Sequence, residues 1–84
     1  MRIRKAEIGE RNLIGAKVEE LRKKIGMKQK ELLAQLQVHG VNVNASGLSK
    51  IEGQTRSVSD VELVAFAQIL NVSVLELLNL PNGK

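Results

Sequence analysis

The sequence predicts an all-α protein, a compact bundle of five short helices, and three observations carry that expectation. Apolar residues recur at spacings of three and four through most of the chain, the period that lines one face of an α-helix. Hydrophobic residues make up 43% of the composition, yet Phe66 is the sole aromatic, so the core must be built from Leu, Ile, Val and Ala, as in a helical bundle rather than a β-sandwich. With 84 residues the chain has room for one small domain and one modest core.

Taken in order, residues 1–11 carry Arg2, Arg4, Lys5 and Arg11 with only Ile3 and Ile8 to bury, and read as a basic arm. They lack the apolar run of a signal peptide, and no later stretch approaches a membrane span. Ile14, Val18, Leu21 and Ile25 are spaced four, three and four, which gives the first helix one apolar face. Gly26 ends it in the left-handed conformation that glycine tolerates. The second helix opens near Lys28 and aligns Leu32, Leu33 and Leu36 along one side. Asn44 is a good N-cap for a third helix from Ala45 to Glu52; there Leu48 and Ile51 turn inward, leaving Ala45, Ser46, Ser49 and Lys50 for the outer face. Ser59 with Glu62, and Ser73 with Glu76, have the spacing of a capping box. They open a fourth helix that buries Leu63, Phe66, Ala67 and Leu70, and a fifth that buries Val74, Leu77 and Leu78. The domain is read over residues 12–79, with a short tail at 80–84.

Charge narrows the function classes. The net charge is +4, but residues 1–30 hold ten basic residues against four acidic, a net of +6, and the remainder holds three against five, a net of −2. A basic patch attracts phosphate and so nucleic acid; an anionic membrane or an acidic protein would also answer it. The absence of cysteine excludes a disulfide or a thiolate metal site and fits a reducing cytoplasm. One histidine, His39 in a loop, and no carboxylate pair in an apolar setting leave no catalytic constellation. The seven glycines are scattered rather than gathered into a phosphate-cradling loop. No enzyme activity, metal or cofactor is expected.

One ordered set of residues goes further. Gly26, Gln29, Glu31 and Leu32, then Leu48, Ser49, Ile51 and Glu52, then Arg56, and finally Leu70, Val72 and Ser73 resemble the phage-repressor-like, Cro-type (XRE-type) helix-turn-helix family, over Ile14 to Leu78. The resemblance implies a lambda-repressor-like DNA-binding domain whose second helix crosses the DNA backbone while the third enters the major groove. Matching back from Glu52, the base-contacting residues are Ala45, Ser46, Gly47 and Lys50. Lys50 can donate to guanine O6 and N7, Ser46 can serve either partner, and Ala45 can meet a thymine methyl. Phosphate contacts fall to Lys28, Gln29, Asn44, Ser49 and Arg56; the Gln29 amide and the free N–H groups of its helix end both suit a phosphate oxygen, as does the planar fork of Arg56. Arg22 matches the residue that pairs with the glutamate closing the third helix, so an Arg22–Glu52 ion pair is expected in a structural role.

The function implied is a cytoplasmic, sequence-specific transcriptional regulator of double-stranded DNA, most simply a repressor. It would act as a homodimer on a palindromic operator, with Leu75, Leu80 or the tip of the last helix at the dimer contact. The alternative is an antitoxin or other module of the same fold that acts by holding a partner protein. The chain departs from the family's pattern at three points. Lys28 stands where Thr or Ser usually caps the second helix. The interval from Gln29 to Glu52 spans 23 positions, about five more than usual, with the extra residues in Gln37 to Val41, where Gly40 can turn the chain and Val41 and Val43 pack inward. Gly53 and Gln54 stand in reversed order.

Overall fold

The computed structural model describes residues 11–78, and among them five α-helices and no strand are found. They are α1, Gly15–Lys24; α2, Gln29–Val38; α3, Ala45–Glu52; α4, Asp60–Leu70; and α5, Val74–Leu78. The arm, save Arg11, and the tail with Leu80 lie outside the described residues.

Apolar side chains one turn apart fall on one face, and burying each Leu-sized side chain stabilises the fold by about 1.5–3 kcal/mol. Val18, Leu32, Leu36, Leu48, Ile51, Phe66 and Leu77 are the largest fully buried side chains, and every helix contributes at least one of them. Helix α4 is central, packing against α1, α2 and α5, while α3 lies across α1 and α2. Two inward expectations are corrected. Ile25 is 57% exposed, because α1 ends at Lys24 and Ile25 has already left the helical face as its C-cap. Arg22 holds the inward position of that last turn instead. Leu78 is at the boundary, 36% exposed, since Leu77 takes the buried side of the short α5.

The starts and stops follow local chemistry. Gly26 and Gly40 have φ of +75° and +80°, the left-handed residue that lets a helix close its last carbonyls. After Gly40 the Val41 N–H returns to Leu36 O at 2.8 Å. Val41 and Val43 are buried, bracing the connection into α3. The lengthened interval is therefore only partly loop: Gln37 and Val38 extend α2 past Leu36. Ser59 and Glu62 form both halves of a capping box on α4, with Glu62 N–H donating to Ser59 Oγ at 3.2 Å and Ser59 N–H to Glu62 Oε1 at 2.9 Å. On α5, Ser73 Oγ accepts from the Glu76 N–H at 2.9 Å.

Candidate functional site

Helix α3 is anchored by Leu48, Ile51 and Glu52, its three buried residues. With that face held down, Ala45, Ser46, Ser49 and Lys50 are all exposed on the other. Gly47 differs from these four, being half-buried: a Cβ there would sit 3.2 Å from both Val43 Cγ1 and Asn44 Oδ1, so its small size serves the chain's own packing. Asn44 Oδ1 accepts the Gly47 N–H at 2.7 Å. The N-cap role expected of Asn44 thus occupies its carbonyl oxygen and leaves its amide nitrogen for any outward contact.

The start of α2 lies against this helix. Lys28 N–H donates to Glu31 Oε1 at 2.8 Å. The reciprocal half of a capping box does not form, because an ammonium group has no lone pair to accept with. The first-turn N–H groups of Gln29 and Lys30 have no intrahelical partner. Lys28 and Lys30 are exposed beside them, and Gln29 is half-buried.

A polar network joins the two helix ends. Arg22 Nε donates to Glu52 Oε2 at 2.8 Å and Arg22 Nη2 to Glu52 Oε1 at 3.1 Å, while Nη1 reaches Met27 O at 2.9 Å. Arg22 is 7% exposed and Glu52 5%, so each charge is met by the other in a setting where an unpaired charge would be costly. The hydrogen bond that Arg22 donates to Glu52 holds the guanidinium above its ordinary pKa against the opposing effect of burial. Gln29 Nε2 donates to the same Glu52 Oε1 at 2.9 Å, and Ser49 Oγ is the donor toward Gln29 Oε1 at 3.4 Å. Gln29, Ser49, Glu52 and Arg22 are brought together.

Arg56 borders α3, its Nε 4.0 Å from where a Cβ on Gly47 would stand, and it is already engaged. Its Nη1 and Nη2 donate to Glu62 Oε1 and Oε2 at 3.1 and 2.9 Å, and Nη1 also reaches Ser57 O at 3.1 Å. The hydrogen bond to Glu62 raises the Arg56 pKa. The Arg56 guanidinium in turn holds the Glu62 carboxyl below its usual range, against desolvation by burial. Arg56, expected from the sequence to contact phosphate, is held in an intramolecular pair, because Glu62, fixed in the first turn of α4, presents both oxygens to the loop that carries Arg56.

Sequence reasoning missed Asn12. It is buried; its Oδ1 accepts from Ile14 N–H at 3.1 Å and Gly15 N–H at 2.7 Å, and its Nδ2 donates to Ile51 O at 3.1 Å and Arg56 O at 2.7 Å. One side chain thus caps the start of α1 and ties it to the end of α3. The available signal was an asparagine just ahead of the helix, a residue whose side-chain oxygen accepts backbone N–H groups two and three positions on. Gln54 adds to this clasp through Nε2 to Asn12 O at 3.0 Å.

A cleft of about 420 Å³ lies away from these residues, lined by His39, Asp60, Val61, Val64, Ala65 and Gln68. No group of three or more His, Cys, Asp or Glu able to hold a metal occurs among the described residues, and no described helix is long and apolar enough to cross a membrane. Comparison of the chain with protein-family models, with curated proteins and with solved structures finds no match.

Proposed function

We propose that this protein is a sequence-specific double-stranded DNA-binding regulator of transcription, a cytoplasmic repressor with a lambda-repressor-like helix-turn-helix, whose α3 enters the major groove. One observation carries the reading: α3 is held by its buried face beside the N-terminus of α2, so that four exposed small or cationic residues and the α2 helix end open on one side of the molecule. Small side chains let a helix approach base edges closely, and Lys50 supplies a donor for guanine O6 and N7. On the flank, the free N–H groups of Gln29 and Lys30 and the cations of Lys28 and Lys30 suit a phosphate. Base readout from Ala45, Ser46 and Lys50 is sparse, so DNA shape and two-site binding supply the rest of the specificity. Two copies on a palindromic operator set their α3 helices about one DNA turn, roughly 34 Å, apart and occlude a promoter.

Selection from random duplexes at two salt concentrations tests this. A palindromic motif is expected, with affinity falling steeply as salt rises. Lys50→Ala should relax the base preference at one position, whereas Gln29→Ala should weaken binding to all sequences alike. Selection without enrichment at either salt overturns the sequence-specific reading.

A second reading, a partner-holding module such as an antitoxin, draws support from the apolar cleft: Val61 and Val64 in its lining are exposed, as is the nearby Val38. Val61→Asp separates the two readings, leaving duplex binding intact under the first and releasing a stoichiometric protein partner under the second.

A further inference from the structure

Glu52 is the least accessible charged residue among those described, yet one of its oxygens serves a neighbour beyond its ion-pair partner. We infer that Glu52 is a positioning residue for duplex binding, its carboxylate fixing the orientation of the Gln29 amide and with it the stance of the α2 N-terminus beside α3. The inference rests on the DNA-binding reading above and deepens it.

The geometry leaves Gln29 little choice. Arg22 fills Glu52 Oε2 at 2.8 Å and shares Oε1 at 3.1 Å, which turns the carboxylate so that Oε1 also meets Gln29 at 2.9 Å. An ionised carboxylate only accepts, so an amide facing it must turn its nitrogen inward and its carbonyl away. That carbonyl is where the Ser49 hydroxyl points its proton, at 3.4 Å. Two consequences follow. Gln29 has one amide hydrogen left for a phosphate, at a fixed angle, rather than two on a free rotor. Ser49 has its proton turned toward Gln29, so base reading stays with Ala45, Ser46 and Lys50.

The test measures binding to the selected duplex for Gln29→Ala, for the double variant Arg22→Met/Glu52→Leu, and for the triple variant. Apolar residues of similar volume replace a buried ion pair with little loss of stability, and a thermal melt checks that the double variant is folded. Gln29→Ala is expected to weaken binding about tenfold, the double variant by a similar factor, and the triple variant no further, because all three lose the same contact. Losses that multiply in the triple variant, or a folded double variant that binds like the wild type, overturn the inference. A second readout needs no variant: by NMR the two side-chain amide protons of Gln29 should be widely split, one of them slow to exchange. A solvent-like pair overturns the assignment even if the double variant does not fold. A wild-type protein that binds no duplex defeats the DNA-binding reading and this inference together, whereas wild-type binding that Gln29→Ala leaves unchanged defeats this inference alone.

Discussion

Glu62 serves three donors with two oxygens: both terminal nitrogens of Arg56 and the N–H of Ser59. Those bonds favour the ionised form, and its pKa is lowered chiefly by the Arg56 hydrogen bond. A carboxyl group whose pKa is lower in the folded than in the unfolded state stabilises the fold fully above the unfolded value. That stability is lost as pH falls through the folded value. Melting temperature should therefore drop as pH is taken below about 4.3, the ordinary glutamate value, and Glu62→Gln should flatten that part of the profile. An unchanged profile in the variant would mean that the Arg56 pair contributes nothing. The same substitution releases the Arg56 fork beside α3. Under the DNA-binding reading it should tighten binding to every sequence and steepen the salt dependence by about one unit of slope. The sequence made the Ser59–Glu62 capping box legible because its spacing is strictly local. It did not reveal that Arg56 spends its donors on Glu62, since that depends on the path of the three intervening loop residues.

Between elements, α1 and α3 approach closely at Gly15. A Cβ on Gly15 would clash with Ile51 O, a backbone atom that cannot swing aside. Gly15→Ala should force the two helices apart and cost about 3 kcal/mol, read as a fall in the urea midpoint. Asn12→Ala should cost about 1–3 kcal/mol, since it leaves buried N–H and C=O groups at both helix ends without their partner. If neither variant shifts the midpoint, the clasp between α1 and α3 is not formed in solution. Helix identities were legible from period and caps, at Gly26, Asn44, Ser59 and Ser73. The lengthened connection was legible in its burial of Val41 and Val43 but not in its division, because Gln37 and Val38 fit a helix as well as a loop. Nor did the order of Gly53 and Gln54 disclose that Gln54 takes the left-handed position, with φ +62°. A Cβ on Gly53 would crowd Ser49 O at 3.3 Å, and the Gln54 side chain is tied to Asn12, so the usual roles are exchanged.

At the scale of the whole molecule, single exposed leucines are ordinary, but three here gather at one place. Leu13 and Leu78 line a groove of about 240 Å³ together with Arg11, Asn12, Ile14, Val58 and Leu63. Leu75, 77% exposed, lies one helical turn before Leu78 on α5. Under the proposed DNA-binding reading this surface suits the two-fold contact that a palindromic operator would require, because a contact around a two-fold axis meets its own copy and needs only one such patch per chain. Leu75→Lys is the substitution that isolates the question. Leu75 packs little within its own chain, so the melting temperature of dilute protein should move by no more than the equivalent of about 0.5 kcal/mol. Under the proposed dimeric DNA-binding reading, sedimentation should show loss of the dimer, and affinity for the full palindrome should fall by about a hundredfold while binding to a half-site is unchanged, since linking two contacts raises avidity by that order. A variant that sediments and binds like the wild type places the dimer contact on another face, and the exposed valines Val38, Val61 and Val64 become the surface to test next.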